Sequence, residues 1–511
     1  MKEIISVEVK TQKADFVKVK TDLLAVGVFS DVKGLDKLNK ELDGKLGGAI
    51  ERLIKLEDFK GKDGTGAVVY GNGKIGAKRI LLVGLGEKKK AKLDTVRKAA
   101  AYAANKAVDM KAENLGLALH RPFEGQFDSA VMGRVITEGV YFGSYRYDEY
   151  ITTGENGRRG KLNAELVEPD KAKLKKLNEG LSKGIIIGQA QSLARTLSNR
   201  PGNIINPPEL AAIAKRMVKG IKGLSCTVFD EKQLKTKKMG GIIAVGSGSK
   251  TPPRLIVLKY SPSGSKAKKL PTISLVGKAI TFDSGGISIK PSADMDQMKL
   301  DKSGGIAVLC TMKAAAELKL PINIYGLIPS AENMPSGTSY RPGDIVTTFS
   351  GKTVEILNTD AEGRMILCDA ISYAVKQKCD IIVDIATLTG ACIVALGKFM
   401  AGLMGNDEDL IKQMQKASEE SGEKVWPMPS GEEYAKEMKS KIADLKNTGG
   451  KWGGACTAAA FLRQFVDDKK WVHLDIAGMD IFEKATEFSA EGSSGYGVRL
   501  LITYLMNLAE K

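Results

Sequence analysis

Apolar and polar positions along the first third of the chain change period repeatedly, which indicates short strands and helices that follow one another. Alternation with a period of two predicts strands, and small apolar residues at helical spacing predict a helix over 92–110. The predicted strands are 4–9, 23–28, 68–70 and 80–83. The polar segment 152–170, which contains GENGRRG, predicts a boundary loop, and a helix pattern follows over 171–197.

The second half of the chain repeats a strand pattern followed by a helix pattern. Its apolar runs are continuous, which is typical of a mostly parallel sheet covered by helices on both faces. The runs are LIVLKY (255–260), TISLVG (272–277), INIYGLI (322–328), TVEIL (353–357), IIVDIA (381–386) and WVHLDIA (471–477), with helices predicted over 304–318 and 365–376. The fold class predicted is therefore α/β, with two domains that each contain a mixed or mostly parallel sheet.

Polar residues stand where several of these apolar strands end. Ligands of parallel sheets gather beyond the carboxyl ends of the strands, so these residues are candidates for a site. They are Lys278, Asn358, Asp360, Thr387 and Asp475.

Length and composition are those of a globular protein. The 511 residues suffice for two domains, and 43% hydrophobic with 27% charged residues are ordinary proportions. No apolar run approaches the roughly 18–20 residues of a membrane span. The first residues, MKEIISVEVK, lack the apolar region of a signal peptide, which predicts a cytoplasmic protein.

Cysteine and histidine usage narrows the chemistry. The six cysteines are scattered without a CxxC pair, so a disulfide framework or a cysteine zinc site is disfavoured. Only two histidines are present, His120 and His473, and HExxH is absent. Metal chemistry in this chain would therefore depend on oxygen ligands or on a less common ligand.

The formal net charge is +17, with short basic clusters at 88–90, 173–176 and 235–238. Such a spread of charge is typical of a solvated surface. It also leaves open weak, salt-sensitive binding of nucleic acid or of acidic partners.

Candidate chemistry concentrates in two segments. Residues 276–305 contain Lys278, Asp283, Lys290 and Asp301, and NTDAEGRM (358–365) contains a second group. The second group consists of Asp360, Glu362 and Arg364.

Each of these residues also has an ordinary structural interpretation. Asp283 could begin a glycine turn, and Asp301 or Ser303 could cap the helix that follows. The acids of the second segment could be loop carboxylates paired with Arg364, and both lysines could be exposed. Taken together, however, four clustered carboxylates repel one another unless cations lie between them, and two divalent ions would supply that charge. A lysine amine could join them as a ligand only when neutral.

These motifs resemble the leucyl aminopeptidase family of two-metal cytosol aminopeptidases. NTDAEGR matches the signature of that family, as do the run from GK through FDSGG to Lys290 and the MKxD that follows. Further similarity covers NRPGNIINPPELA, DIATLTGACIVALG, WPMPSGEEY, SKIADLKNTGG and WVHLDIAG, so that it extends over 185–505. Ala279, Lys302 and Gly305 differ from the residues that are usual in these motifs, but none of the three is an expected ligand.

The resemblance implies a role for each candidate residue. The expected metal ligands are Lys278, Asp283, Asp301, Asp360 and Glu362, with Asp283 and Glu362 shared by two ions. Lys290 and Arg364 are the expected catalytic pair. Lys290 would donate to the carbonyl oxygen of the substrate, and Arg364 would hold a bicarbonate that acts as general base. Met298, Asn358, Ala361, Thr387, Gly390 and Ala477 are the expected substrate contacts.

The resemblance also implies the metal ions, the substrate preference, the oligomeric state and the domain organisation. It predicts two divalent metal ions per subunit, Mn or Zn with Mg or Co as alternatives, and a preference for N-terminal leucine and other apolar residues. A homohexamer is expected, with an N-terminal macro-like domain over 1–168 that serves oligomerisation or regulation and a catalytic domain over 169–511.

Other function classes stay open at this point. The net charge is the single argument for a nucleic-acid-binding protein, which could also coexist with catalysis. A two-metal phosphatase would usually carry more histidines, and an inactive scaffold would not need the complete set of polar residues. GLG at 84–86 and GSG at 246–248 are too short to indicate a dinucleotide site.

Overall fold

The computed structural model describes residues 5–56, 58–152, 160–262 and 270–510. The chain divides into two compact units. The first comprises Met1–Ser192 with Phe482–Gly492, and the second comprises Leu193–Ile481 with Ser493–Lys511. The expected boundary at 168/169 precedes the long helix Lys171–Asn199, and the two units part within that helix.

The first unit is built on a six-stranded sheet in the order β1-β6-β5-β2-β4-β3. Its strands are Ile5–Gln12 (β1), Leu23–Val28 (β2), Gly66–Tyr70 (β3), Arg79–Gly84 (β4), Asn114–Leu117 (β5) and Gly160–Val167 (β6). All neighbouring strands are parallel except β3 and β4. Its helices are Lys37–Lys45 (α1), Ala49–Lys55 (α2), Leu93–Asp109 (α3) and Ser129–Ser144 (α4).

Both faces of this sheet are covered. Leu23 and Ala25 belong to an apolar cluster with α3 and α4, whereas Leu24 and Val26 belong to another with α1 and α2. Successive side chains of a strand point to opposite faces, so a strand with apolar residues at every position must be buried on both.

The predicted loop over 152–170 is wrong in its second half. Residues 160–167 form β6, which lies between β1 and β5. Leu162, Ala164 and Leu166 are fully buried. They alternate with polar residues, and this period of two is a strand signal that outweighs the polar composition. Residues 153–159 of the predicted loop lie outside the described residues.

The second unit contains a nine-stranded sheet in the order β16-β15-β18-β14-β9-β11-β8-β7, with β10 beside β11. Its strands are Leu224–Phe229 (β7), Arg254–Tyr260 (β8), Ile273–Gly277 (β9), Ala279–Asp283 (β10), Ile324–Asn333 (β11), Ile381–Ala386 (β14), Ala401–Gly405 (β15), Val425–Pro427 (β16) and Lys470–Asp475 (β18). The central strands β18, β14, β9 and β11 are parallel, and the flanking strands β8, β7 and β15 run antiparallel to their inner neighbours. The predicted α/β class with mixed or mostly parallel sheets is confirmed.

Smaller elements complete the chain. A three-stranded sheet contains Ile345–Thr347 (β12), Thr353–Glu355 (β13) and Leu445–Lys446 (β17), and two further strands are Ile481–Phe482 (β19) and Gly492–Ser493 (β20). The remaining helices are Lys171–Asn199 (α5), Pro207–Val218 (α6), Glu231–Thr236 (α7), Gly240–Gly246 (α8), Ser303–Glu317 (α9), Glu362–Lys376 (α10), Gly390–Leu396 (α11), Glu408–Ser421 (α12), Glu432–Lys436 (α13), Gly454–Arg463 (α14) and Val498–Glu510 (α15). Across the described ranges, no helix combines the length and apolarity needed to span a membrane.

The parallel centre of the second sheet positions the polar candidates. Because β9, β14 and β18 run in the same direction, the residues that follow them lie at one edge of the sheet. Lys278 follows β9, Thr387 follows β14, and Asp475 ends β18.

Candidate functional site

Lys278 lies in the connection between β9 and β10. Its backbone N–H donates to the carbonyl of Ile385 at 3.1 Å, and its own carbonyl accepts the N–H of Gly305 at 2.6 Å. Only 3% of its side chain is exposed. Backbone bonds to β14 on one side and to α9 on the other therefore fix a buried lysine, and the interpretation of Lys278 as an exposed lysine is wrong.

The DSGG turn directly after β10 positions Asp283. Gly285 and Gly286 have φ angles of +86° and +66°, a region that side chains other than glycine rarely adopt. The N–H of Gly285 donates to Oδ1 of Asp283 at 2.9 Å. The turn also brings back Lys290, whose Nζ lies 2.9 Å from Oδ2 of Asp283 and 2.5 Å from Oδ1 of Asp360.

The other carboxylates come from helix termini. Asp301 ends the 3₁₀ turn Met295–Leu300, and Glu362 is the first residue of α10. Negative charge is stabilised at the N-terminus of a helix, which favours Glu362 at this position. Asp360 lies in the loop before α10, where its N–H donates to Oδ1 of Asn358 at 2.8 Å.

Lys278 lies at the centre of the carboxylates. Its Nζ is 2.8 Å from Oδ1 of Asp301 and 2.7 Å from Oε1 of Glu362, and it donates to the carbonyl of Thr387 at 2.8 Å. Burial alone would lower the pKa of Lys278, but the negative charges of Asp301, Glu362 and Asp283 outweigh burial and hold the pKa above its ordinary value.

The carboxylates are close together and buried, as expected for a cation site. Ligand oxygens of Asp283, Asp301 and Glu362 all lie within 4.8 Å of one another. Burial, reinforced by repulsion from Asp283, raises the pKa of Glu362 to about 7. Burial likewise raises the pKa of Asp301 well above its usual range, and Oδ2 of Asp301 is buried without a hydrogen-bond partner. Oxygen ligands at this density suit hard or borderline divalent cations, which would neutralise the repulsion, so the residues fit a metal centre.

Arg364 is held at the edge of this group. Its Nη1 donates to the backbone carbonyl of Asn447 at 2.8 Å, and its Nε is buried without a hydrogen-bond partner. Burial lowers the pKa of Arg364 to about 10, which leaves the guanidinium charged at neutral pH. The guanidinium thus keeps donors for an anion.

One cavity of about 490 Å³ brings the sequence-predicted residues together. Its lining includes all five expected metal ligands, both expected catalytic residues and all six expected substrate contacts: Lys278, Asp283, Asp301, Asp360, Glu362, Lys290, Arg364, Met298, Asn358, Ala361, Thr387, Gly390 and Ala477. The assignment of a role to each residue stays a prediction.

Sequence reasoning missed several buried residues that support the site. Nδ2 of Asn333 donates to Oδ1 of Asp283 at 2.8 Å and to the carbonyl of Thr359 at 3.0 Å. Asp475, noted in the sequence without a role, accepts the hydroxyl of Thr389 at 2.7 Å and the N–H groups of Leu388, Thr389 and Ala477. The position of Asp475 at a strand end was the available signal, whereas Asn333 lies beyond the predicted strand 322–328 and gave none.

The three residues that differ from the family motifs, Ala279, Lys302 and Gly305, are packing positions. Ala279 is fully buried, and Gly305 lies so close to Lys278 and Ala279 that a Cβ would approach the methyl group of Ala279 to 2.6 Å. Lys302 is also fully buried, and its Nζ donates to the carbonyls of Ser198 at 2.9 Å, Arg200 at 2.8 Å and Lys299.

Comparison with known proteins gives a consistent result over both units. Residues 192–502 match the model of the cytosol aminopeptidase family, catalytic domain, and residues 25–153 match that of the N-terminal domain. A probable cytosol aminopeptidase of Alkaliphilus oremlandii is 41% identical over 504 residues, which are 99% of this chain and 100% of that protein. The corresponding protein of Aquifex aeolicus is 42% identical over 512 residues, covering 100% of this chain and 99% of its own.

Solved structures show the same similarity. A mutant of tomato leucine aminopeptidase has a TM-score of 0.87 and 33% identity, with 98% of this chain and 96% of that chain covered. The bottromycin maturation enzyme BotP in complex with Mn has a TM-score of 0.83 and 32% identity, with 96% of this chain and 100% of that chain covered.

Proposed function

Because the chain belongs to the cytosol aminopeptidase family and is a metal-dependent aminopeptidase, we propose that its cavity releases N-terminal leucine and other apolar residues from peptides with the help of two divalent ions. Mn or Zn are the proposed ions, with Mg or Co as alternatives, and the complex of BotP with Mn supports Mn. A phosphatase or an inactive scaffold is not supported by membership of this family.

The observation that carries the proposal is the convergence of four carboxylates and two lysines in one cavity. So many buried acids are stable only with cations among them. The two ammonium groups supply part of this positive charge in the structure. Divalent ions bound among the carboxylates would supply the rest.

The proposed ligands divide between two ions. Asp283 and Glu362 would contact both ions, Asp360 would complete the first site, and Lys278 with Asp301 would complete the second. Lys278 can ligate only as a neutral amine, so it would have to give up its ammonium proton to solvent to serve as a ligand. When bound, the ions would acidify the attacking water and polarise the scissile carbonyl.

The proposed roles of Lys290 and Arg364 follow from their contacts. Lys290 is anchored by Asp283 and Asp360, and an ammonium held there can donate to the carbonyl oxygen as negative charge develops on it. The planar, charged guanidinium of Arg364 suits bidentate binding of bicarbonate, which would accept the proton of the attacking water. Together the two residues would place a donor and a base around one carbonyl carbon.

Substrate contacts are proposed for the remaining lining residues. Met298 and Ala477 offer apolar surface to a leucine-like side chain, and Asn358, Ala361, Thr387 and Gly390 complete that wall. The free N-terminus of a peptide would bind as a neutral amine, which restricts cleavage to the first residue.

We also infer a cytoplasmic homohexamer in which the N-terminal macro-like domain serves assembly or regulation. The family resemblance supports this assembly, and Val394, Phe399 and Trp452 are apolar residues at least 74% exposed on the second unit. Light scattering after gel filtration should give about six times the subunit mass of 54.8 kDa; a monomer would contradict the assembly.

The net charge of +17 supports weak DNA binding as a second candidate function. Such binding should weaken steeply with salt, since it would depend on release of counterions from phosphates. A gel-shift series in increasing salt tests it, and no shift at low salt would remove the candidate.

The decisive experiment for the main proposal is hydrolysis of a leucine anilide before and after metal removal. Activity should disappear with a chelator and return when Mn or Zn is added. Asp360→Ala and Glu362→Ala should lose activity while remaining folded, because each removes a proposed ligand. Asp409→Ala, a carboxylate exposed on α12, is the matched control and should retain full activity.

The outcome that contradicts the proposal is equally clear. If the metal-loaded protein cleaves neither the anilide nor a panel of dipeptides with free amines, the proposed aminopeptidase activity fails. If Asp360→Ala and Glu362→Ala bind metal and hydrolyse the anilide as well as the Asp409→Ala control does, the proposed ligand set is wrong.

A further inference from the structure

The catalytic cavity contains a fifth carboxylate that belongs to none of the proposed roles. Asp480 lines the same cavity as the four candidate ligand carboxylates and is only 7% exposed. It is not part of the group of Asp283, Asp301 and Glu362 whose oxygens lie close enough to share an ion. Asp480 therefore needs another explanation.

The carboxyl of Asp480 is poorly satisfied by the protein. Its hydrogen bond comes from its own backbone N–H, and within the described ranges no other residue donates to it. Burial raises the pKa of Asp480 to about 7, because a desolvated carboxylate lacks the stabilisation that water would provide. Such a group gains most from a cationic partner.

The backbone holds Asp480 in one place. It lies on the turn after β18, where the N–H of Ile476 donates to Ala386 at 2.8 Å and the N–H of Met479 donates back to Ile476 at 2.8 Å. The N–H of Ser494 donates to the carbonyl of Asp480 at 2.9 Å. A carboxylate on a fixed turn can select a ligand, because little order must be gained on binding.

The same turn carries an expected substrate contact. Ala477 precedes Asp480 by three residues, and its N–H is held by Oδ1 of Asp475 at 3.3 Å. Asp480 therefore lies on the same turn as a residue assigned to the N-terminal side chain of the substrate. Ala477, Met298 and Asp480 all line the cavity, which thus offers both apolar surface and this acid.

Two cationic side chains of the protein influence the carboxylate of Asp480. The positive charges of Lys278 and Lys398 act on Asp480. Lys278 is already bound to Asp301, Glu362 and the carbonyl of Thr387. Lys398 lines the same cavity and acts on Asp480 through its charge.

We propose that Asp480 is a specificity-determining residue that extends the accepted N-terminal residues from apolar ones to the basic residues lysine and arginine. The methylene stem of such a side chain would pack on Met298 and Ala477, and its charged end would pair with Asp480. The inference rests on the proposed aminopeptidase function and names part of its substrate class. An N-terminal glutamate would be rejected by the same carboxylate.

Lysine and norleucine form a matched pair for the test, because their side chains share the same methylene stem and differ at the end. Values of kcat/KM are compared for lysyl, norleucyl, leucyl and glutamyl anilides with the Mn-loaded enzyme. In Asp480→Asn the ratio of lysyl to norleucyl kcat/KM should fall at least about tenfold, as expected for loss of a desolvated charge pair. Norleucyl and leucyl hydrolysis should change less than about threefold, and glutamyl hydrolysis should increase.

Two further variants keep the inference testable. Asp480→Leu should lower lysyl hydrolysis and retain norleucyl hydrolysis, which provides a second readout if Asp480→Asn folds poorly. Asp409→Asn removes the same charge from the exposed surface of α12 and should leave every ratio unchanged.

A lysyl to norleucyl ratio that is equal in the wild type, Asp480→Asn and Asp480→Leu would overturn the inference. So would an equal fall of this ratio in Asp409→Asn, because the effect would then be one of net charge. Absence of norleucyl and leucyl hydrolysis in the wild type would instead refute the proposed function, so the two failures are distinguishable.

Discussion

The hydroxyl of Thr387 donates a 2.6 Å hydrogen bond to Oδ1 of Asp301. The carbonyl of the same threonine accepts Nζ of Lys278 at 2.8 Å. One residue after β14 thus orients the two ligands that are proposed for the second ion alone, Asp301 and Lys278. Residues that hold metal ligands in this way commonly tune metal affinity.

We predict that Thr387→Val weakens binding of the second ion by about 10–100-fold, because Asp301 loses the donor that orients it. Titration calorimetry of the metal-free protein with Mn measures this directly. Thr387→Ser keeps the hydroxyl and should bind both ions like the wild type. Equal affinities in the wild type and Thr387→Val would show that the hydrogen bond does not position Asp301.

Gly285→Ala should reduce leucine anilide hydrolysis by at least about tenfold. A Cβ at this position would lie 2.4 Å from the carbonyl oxygen of Ser288, and the φ of +86° is strained for alanine. The turn that carries Asp283 must therefore shift, and small displacements at a catalytic centre are costly.

Gly351→Ala is the matched control for the glycine prediction. Its φ is +89°, but the added Cβ would meet nothing within 4 Å, so only backbone strain applies. Comparable losses of activity in both variants would mean that strain alone, and not the packing of the DSGG turn, is responsible.

Asn333→Leu should lower the free energy of unfolding by about 1–3 kcal/mol in total, because two buried hydrogen bonds are lost. The two acceptors are Oδ1 of Asp283 and the carbonyl of Thr359. Urea denaturation of the metal-free protein provides the measurement. Asn507→Leu, which loses one partly exposed bond to Glu420, should cost at most about 1 kcal/mol. The prediction fails if both variants lose the same amount.

The buried pair of His473 and Asp384 should make stability depend on pH. Nδ1 of His473 lies 2.5 Å from Oδ1 of Asp384, whose Oδ2 accepts Nε1 of Trp471 at 2.6 Å. Burial alone would lower the pKa of His473, but the charge of Asp384 outweighs burial and raises this pKa above 6.5. The protonated histidine thus stabilises the folded state fully below about pH 6.5, and this contribution is lost as pH rises through the folded pKa.

The free energy of unfolding of the wild type should accordingly fall as pH rises above 6.5, relative to that of Asp384→Asn, where the pair lacks its carboxylate. Denaturant titrations at several pH values measure the difference, and other titrating groups affect both proteins alike. Parallel pH profiles would show that the pair does not change its protonation in this range.

The candidate site was predicted from the sequence because its residues cluster in short motifs. The DSGG turn requires glycine, and NTDAEGR places two acids and a base within five consecutive residues, 360–364, shortly after a predicted strand. Residues so close along the chain need only a strand and a turn to be brought together. The thirteen predicted residues accordingly line one cavity in the structure.

Local composition misled the sequence analysis where burial decided the outcome. The polar segment after residue 152 suggested a loop, but β6 occupies residues 160–167, because Leu162, Ala164 and Leu166 find apolar neighbours on the sheet. TVEIL was predicted as a strand of the central sheet. Its residues 353–355 instead form β13 in the separate three-stranded sheet with β12 and β17.

The sequence by itself determined the α/β class, the family resemblance and the first set of candidate residues, since periodicity and short motifs are local properties. Only the tertiary structure decided which distant groups support or adjoin that set. Asn333 meets Asp283 across 50 positions, Thr387 meets Asp301 across 86, and Asp480 enters the cavity from a turn after β18. These relationships depend on the order of strands in the sheet, which no local pattern encodes, because it is selected by the burial of the whole core.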